Sequence, residues 1–429
     1  MAKSEVIFIC SNCGEEYLKW EGKCSSCGEW NTLKEFKRPK AKFSSREKII
    51  TEPIELSKIS TRNFQRTSTK ISEFDRVLGG GIVPGSVILL GGDPGIGKST
   101  LLLQLAEKID NVLYISGEES AEQIKIRFDR LKLKSKSLKI YAETDLENIL
   151  ETALKENPAL VIIDSIQTIY SSNYPSTPGS IVQVRECALA LQQMAKTRRI
   201  SVILIGHVTK EGAVAGPRTL EHLVDVVLYL EGERFYENRI LRGAKNRFGA
   251  TCEIGVFEMS EYGLLEVKNP SKIFLAERLK DVPGTVVTAA IEGTRAFLVE
   301  VQALTATSIF GYPQRRASGF DLNRLQILLA VLQKRAGVVL GNQDVFVNIV
   351  GGIKIREPAV DLAVALAVAG IFKNKVINSK ICAFGEIGLS GEIRKVSFES
   401  QREAEAKRLG FQIFPKVKTI NEAIRRGYV

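Results

Sequence analysis

A chain of 429 residues exceeds what one ordinary hydrophobic core organises, so about two or three domains are expected. An apolar share of 44% with 25% charged residues is the profile of a globular protein and excludes a chain disordered throughout. The 60 basic against 49 acidic side chains give +11, which favours a polyanionic partner, nucleic acid before an anionic membrane. Met1 to Cys10 lacks a long apolar segment, and the longest apolar run, Val360 to Phe372, is short and holds Asp361, which argues against secretion and membrane spanning.

The first element is a pair of knuckles. Cys10-x2-Cys13 and Cys24-x2-Cys27 stand ten residues apart, a spacing that lets four thiolates converge on one tetrahedral Zn²⁺. So few apolar residues surround them that the metal is expected to supply most of the folding free energy of a ribbon over residues 1–33. Gly14 and Gly28 follow the second cysteine of each pair, where a tight turn can aim backbone N–H groups at sulfur. Metal binding rather than a disulfide framework also points to the cytoplasm. Cys187, Cys252 and Cys382 lie in apolar contexts and read as core thiols. Residues 34–60 form a linker whose basic part, Lys34 to Lys48, reads as a solvated tether or a segment that touches DNA.

Next, Ser86 to Leu90 reads as a buried strand, and Leu101, Leu102 and Leu105 begin a helix face. Between them runs Gly92-Asp93-Pro94-Gly95-Ile96-Gly97-Lys98-Ser99, followed by Thr100, a match to G-x-x-x-x-G-K-[ST] in the context that motif requires. Backbone N–H groups of this turn cradle phosphates, Lys98 reaches the β and γ oxygens, and the Ser99 hydroxyl ligates Mg²⁺. Further apolar runs at Val112 to Ile115, Leu160 to Ile163, Ser201 to Ile205 and Val226 to Leu230 alternate with helical stretches, which predicts a parallel sheet wrapped by helices. Asp164 ends the third of these strands, where a Walker B aspartate holds Mg²⁺ through water. Glu118 and Glu119 follow the second, where ligands of open α/β sheets bind. One of them suits the general base that deprotonates the attacking water, with Glu118 favoured; a helix N-cap with Glu in its first turn is the structural alternative. His207 ends the Ser201 strand, placed to sense a γ-phosphate or to serve a structural role with equal weight, and His222 reads as ordinary.

The order of these elements, the P-loop, the carboxylates of Ser116 to Ser120 and the Asp164 strand resemble RecA-type ATPases, whose sites lie between neighbouring subunits. Together with the four-cysteine ribbon, Gly206 to Gly212 (GHVTKEG) and Lys245-Asn246-Arg247-Phe248-Gly249, they make the chain similar over nearly its whole length to the bacterial RadA (Sms) family of DNA repair ATPases. The resemblance implies ATP as the nucleotide, a RecA-like ATPase domain over 61–268, and assembly into a ring, a hexamer. It implies that the loops Tyr170 to Ile181 and Thr209 to Thr219, the latter with Lys210 and Arg218, line a channel and grip DNA. Lys245 and Arg247 are implied to reach the neighbour's nucleotide or couple it to DNA, against the alternative of a salt-bridged hairpin tip.

From residue 269 to 429 the pattern changes. Val282 to Glu292 and Ala296 to Leu304 alternate like paired strands, Leu322 to Arg335 reads as an amphipathic helix and Pro358 to Ile371 as a buried one. Gly352 to Ala365 and Phe384 to Arg394 resemble the proteolytic domain of Lon proteases. Ala359 stands where that family carries its nucleophilic serine, and Ser400 stands near its lysine, so peptidase activity is expected to be absent. The domain is expected to be a scaffold for ring assembly and duplex DNA, with Arg315, Arg316, Arg324, Lys334 and Arg335 near phosphate. The whole is therefore expected to be an α/β protein with a zinc ribbon, a RecA-like P-loop core and a Lon-protease-like domain. Its expected function is a Mg²⁺-dependent, DNA-stimulated ATPase that processes recombination intermediates by branch migration on single-stranded and branched DNA. The ribbon would recruit a partner such as a RecA-type recombinase. A RecA-fold nucleotide switch that does not move on DNA and an ATP-dependent protease are the competing classes.

Overall fold

The structure, a computed structural model, describes residues 6–10, 15–37, 55, 65–135, 137–174, 176–207, 220–232, 237–251, 253–309 and 311–428. Cys13, Gly14, Lys210, Arg218 and Cys252 lie outside the described residues. The chain divides into two compact units, Met1–Glu231 with Arg239–Glu266, and Gly232–Asn238 with Val267–Val429.

In the first unit, β1 (Val6–Cys10), β2 (Glu16–Tyr17) and β3 (Leu33–Lys37) form an antiparallel ribbon in the order β2-β1-β3. There follow α1 (Ser72–Leu78), β4 (Val87–Gly92), α2 (Lys98–Lys108), β5 (Val112–Ser116), α3 (Ala121–Arg130), β6 (Leu138–Ala142) and α4 (Leu146–Glu156). Then come β7 (Leu160–Asp164), α5 (Ile181–Arg198), β8 (Ser201–His207), β9 (Val226–Glu231), β10 (Asn238–Asn246), β11 (Ile254–Ser260) and β12 (Gly263–Glu266). Strands β4 to β12 make one sheet in the order β12-β11-β10-β9-β4-β8-β7-β5-β6.

The two-residue period of the central strands explains why helices cover both faces. Ile88, Leu90, Tyr114, Ile162 and Ile203 share one face with Leu101 to Leu105 of α2, while Leu89, Leu113, Ile163 and Val202 share the other with Ile149 of α4 and Leu191 of α5. With both faces dry, β4, β5 and β7 are buried at every position and read as continuous apolar runs.

The parallel sheet expected from the alternating apolar runs is present, and antiparallel strands extend it. The segment β9-β4-β8-β7-β5-β6 is parallel, but β10 pairs antiparallel with β9, and β12 with β11. The sequence of β10, NRILRGAKN, interleaves charges among few apolar residues, so it carries no continuous buried-strand signal. Edge strand β6 was likewise missed, because half-exposed positions leave it without an apolar run.

The second unit contains α6 (Pro270–Phe274), β13 (Thr285–Glu292), β14 (Arg295–Thr307), β15 (Arg315–Ser318), α7 (Leu322–Ala336) and β16 (Gln343–Ile349). A 3-10 turn at Pro358–Val360 then runs into α8 (Asp361–Lys373). After it come β17 (Ile381–Cys382), β18 (Glu386–Ile387), β19 (Ile393–Arg394), α9 (Glu399–Arg408), β20 (Gln412–Ile413) and α10 (Ile420–Gly427). Its six-stranded sheet runs β15-β16-β14-β13-β17-β20, and the predicted hairpin is the antiparallel pair β13 and β14.

Helix α8 is buried on all sides from Asp361 to Gly370, as its apolar sequence requires. No helix among the described residues is long and apolar enough to cross a membrane. The carboxylate of Asp361 is fully buried, and Arg324 answers it: its Nε lies 3.1 Å from Oδ1 and its Nη2 bonds Oδ2, while the Ile387 N–H donates to Oδ2 at 3.1 Å. Burial raises the pKa of Asp361 against the pull of Arg324. Arg324 is therefore an internal counter-ion and not the phosphate contact expected from its position in an amphipathic helix. Burial also pushes the Cys187 thiol up to about 12 and that of Cys382 further, as inert core thiols require.

Ala359 is packed in the core at 2% exposure and Ser400 is exposed. Beside Ala359, Arg402 of α9 is 1% exposed and forms a two-pronged pair with Glu357, and its Nη1 also donates to the Ala289 carbonyl at 2.5 Å. Glu357 Oε1 in turn accepts from the Ile291 N–H at 2.7 Å. Arg402→Ala would strand this carboxylate, so a loss of about 3 kcal/mol is expected in urea unfolding of the chain followed by far-ultraviolet circular dichroism.

Candidate functional site

Strand β4 ends at Gly92, and the chain turns through Asp93 to Ile96 before α2 opens at Lys98. Gly97 adopts φ +112°, and a Cβ there would lie 2.8 Å from the Met259 side chain, so backbone and packing both demand glycine. No side chain caps α2 and its first turn holds no acid, whereas α3, α4 and α5 are capped by Ser120, Asp145 and Ser180. The leading N–H groups of α2 are thus left for an anion. Lys98 is 4% exposed and donates to the carbonyls of Gly92 at 2.7 Å and Asp93 at 3.0 Å. Burial lowers its pKa, and the charges of Asp164, Asp93 and Glu118 oppose that shift.

Strand register brings the polar groups together. Gly92 lies beside His207, and Ser116 beside Asp164, so the C-terminal ends of β4, β8, β5 and β7 meet at one rim. Asp164 is 9% exposed and its Oδ2 accepts from the Tyr114 hydroxyl at 2.6 Å. Glu118 Oε1 accepts from the Ser165 hydroxyl at 2.7 Å. Glu119 instead pairs with Arg127 of α3, and its N–H donates to Ser116 Oγ at 3.0 Å. The carboxylates are therefore split, Glu118 towards Lys98 and Glu119 towards α3. The N-cap role falls to Ser120, in a capping box with Gln123. Gly117 makes the crossing possible, because a Cβ there would fall 2.0 Å from Thr168 Oγ1.

Ser99 is half-buried in the first turn of α2, and with Asp164 it offers the all-oxygen donors that suit Mg²⁺. Thr100 lines a cleft of about 530 Å³ whose other walls include Arg130, Met259, Gly263 and Tyr262, with the Lys132 ammonium 4.2 Å above the Tyr262 ring. The backbone of His207 closes β8, and its side chain lies outside the described residues.

The remaining expected residues sit elsewhere. The loop Tyr170 to Ile181 holds no Lys or Arg and is tied down by buried Gln183, whose amide donates to the carbonyls of Ser171, Tyr174 and Ser176 at 2.9 to 3.0 Å. Lys245 donates to the carbonyls of Glu221 at 2.6 Å and Val224 at 2.9 Å, and desolvation lowers its pKa. Arg247, half-exposed, pairs with buried Asp225 at 3.5 Å, and Asn246 donates to the Leu78 carbonyl at 3.1 Å. The signature Lys245 to Gly249 thus folds onto its own subunit, with the salt bridge that the alternative reading named. In the second unit, Arg315 spends its guanidinium on the carbonyls of Leu340, Gln343 and Gln314, while Arg316 is exposed on a cleft of about 790 Å³ beside Ser318 and Phe346.

Sequence reasoning missed Tyr114, Ser165, Arg127 and Arg239. Arg239 is 7% exposed and its Nε donates to the Ile96 carbonyl at 3.2 Å, which braces the P-loop from β10. A lone tyrosine in an aliphatic strand was the available signal for Tyr114.

At the ribbon, the Sγ atoms of Cys10, Cys24 and Cys27 converge within 4.8 Å of one another. Cys10 and Cys27 are 3.7 Å apart, against about 2.05 Å for a disulfide. Zn–S bonds of about 2.3 Å in a tetrahedron put sulfurs about 3.8 Å apart, so the cluster has the spacing of a zinc site. Tyr17 OH lies 3.2 Å from Cys24 Sγ, and Thr32 Oγ1 lies 3.2 Å from Cys10 Sγ. The N–H of Gly28 donates to the Cys24 carbonyl at 2.8 Å, which closes the knuckle turn. Apolar support is slight: Ile7 meets Val182 and half-buried Tyr174.

A family model described as an AAA domain matches residues 52–213, and one described as a rubredoxin metal binding domain matches residues 8–35. DNA repair protein RadA of Bacillus subtilis (strain 168) is 51% identical, over 96% of this chain and 92% of that protein. DNA repair protein RadA of Listeria monocytogenes is 48% identical over 99% of both chains. Among solved structures, a KaiC-like protein of Pyrococcus horikoshii OT3 is 20% identical with a TM-score of 0.40, over 48% of this chain and 99% of its own.

Replacing Cys24 with Ser is expected to release zinc while the ATPase core stays folded. Metal content by atomic absorption should fall from near one per chain to near zero with little loss of helical dichroism; retention of stoichiometric zinc would contradict the thiolate site.

Proposed function

The chain belongs to the RadA family of DNA repair proteins, and from that premise we propose that it is a DNA-stimulated ATPase that works as a ring, a hexamer, and processes recombination intermediates by branch migration. The observation that carries the ATPase reading is the setting of Lys98, an ammonium at the uncapped start of α2 with Asp164, Asp93 and Glu118 about it. One positive against three negative charges would repel a triphosphate, so the site calls for a divalent cation and for further positive charge supplied from outside.

In this reading the phosphates replace the carbonyls of Gly92 and Asp93 as partners of Lys98, and the first N–H groups of α2 hold the phosphate chain. Ser99 and Asp164 would hold Mg²⁺, which when bound neutralises the β and γ oxygens. Glu118, steadied by Ser165, takes a proton from the attacking water, and His207 senses the γ-phosphate. The cleft beside Thr100 takes the nucleoside end. Lys245 and Arg247 would leave Glu221, Val224 and Asp225 to neutralise charge on a neighbour's γ-phosphate, a contribution of about 10³ to 10⁵ in rate where such cations have been measured.

The loop Tyr170 to Ile181 and the segment with Lys210 and Arg218 would follow single-stranded or branched DNA along the channel. Without cations of its own, the first loop would use hydroxyls, backbone N–H groups and Tyr174. The second unit would act as a Lon-protease-like scaffold without peptidase activity, using exposed Arg316 near duplex phosphate. The zinc ribbon would recruit a partner such as a RecA-type recombinase, in the cytoplasm.

Lys98→Ala is expected to reduce hydrolysis at least about 100-fold, and near-native turnover would remove the site assignment. Single-stranded DNA is expected to raise the native rate, with DNA affinity falling linearly in log–log against salt. Absence of both effects would favour a nucleotide switch. Lys245→Ala should still bind nucleotide but lose stimulation by DNA; full stimulation would refute its role in trans.

A further inference from the structure

We propose that Tyr114 is a positioning residue for magnesium binding: its hydroxyl engages Oδ2 of Asp164 and so fixes the carboxylate that would hold the metal. The inference rests on the reading of Asp164 as the Mg²⁺-binding carboxylate. Strands β5 and β7 are parallel neighbours in which Tyr114 stands opposite Ile162, and Asp164 opposite Ser116. The hydroxyl must therefore reach two residues along the strand, about 6.6 Å at 3.3 Å per residue, a span that an extended phenol covers and a leucine or valine does not.

The ring, 1% exposed, belongs to the buried cluster that covers this face of the sheet, and at its tip the hydroxyl donates to Asp164 Oδ2 at 2.6 Å, a charge-assisted length. A buried phenol requires a partner. Here that partner is the charged group at the strand end nearest Lys98, and Asp164 is itself 9% exposed. Phenylalanine would fill the same space and supply no donor. A carboxylate that must hold a metal through ordered water loses affinity when it can rotate, and outer-shell partners of this type are worth about 10- to 100-fold in metal affinity.

The test is equilibrium binding of N-methylanthraniloyl-ADP to the full chain, followed by fluorescence in EDTA and at rising Mg²⁺, for the native protein, Tyr114→Phe and Asp164→Asn. Tyr114→Phe is expected to keep metal-free affinity within about twofold while the Mg²⁺ concentration for half-maximal tightening rises about 10-fold. Asp164→Asn is expected to lose the Mg²⁺-dependent tightening. If Asp164→Asn loses it and Tyr114→Phe superimposes on the native curve, the tyrosine only fills the core and the proposal is overturned. It is also overturned if Tyr114→Phe weakens metal-free binding as much as metal-dependent binding, since the hydroxyl then supports the whole site. If Asp164→Asn too keeps the native Mg²⁺ dependence, the magnesium reading of Asp164 falls, and the proposal with it.

Discussion

Lys98 is a buried ammonium held by two backbone carbonyls of its own loop at the start of a helix that no side chain caps. Each half of this arrangement is unfavourable alone. Burial lowers the lysine's pKa, and a buried helix start wants acceptors for its leading N–H groups. An anion laid across both relieves both at once, which is why the charge balance of the rim matters more than any single hydrogen bond. The surrounding carboxylates oppose the lowering of the lysine's pKa, yet they would also oppose a bare triphosphate. In the proposed function, a divalent cation and a neighbouring subunit would supply the positive charge that these residues leave short.

The rest of the first unit serves to hold that rim still. Parallel strands deliver Gly92, Ser116, Asp164 and His207 to one level because their register is locked by faces that are dry on both sides. The antiparallel extension then clamps the loop from behind. Met259 and Leu264 crowd Gly97, Arg239 holds the Ile96 carbonyl, and Gln104 of α2 exchanges hydrogen bonds with the backbone of Leu264 at 2.9 and 3.2 Å. The strands that look peripheral in the sheet order are the ones that fix where α2 begins.

What could be read from the sequence follows from this division. The P-loop, the Asp164 strand and the paired cysteines are local patterns, each written within a few consecutive residues, and the structure places the elements that bear them as periodicity indicated. What stayed hidden depends on register between distant strands. That Tyr114 meets Asp164, or that Ser165 meets Glu118, follows from pairing across fifty residues and has no local trace. The division of labour between Glu118 and Glu119 was hidden for the same reason, since Arg127 one helix later decides it. Charged residues were the most misleading class. Arg324 and Arg315 look like surface cations in the sequence, and each instead satisfies acceptors within its own unit.

The second unit shows the same physics turned from chemistry to stability. Its buried Arg402 is locked to Glu357, two residues before buried Ala359 in the chain. The donors of this guanidinium are spent on Glu357 and on the carbonyls of Ala289 and Ser397. Glu357 also accepts from the Ile291 N–H, so this one ion pair ties α9 and the turn before α8 to strand β13.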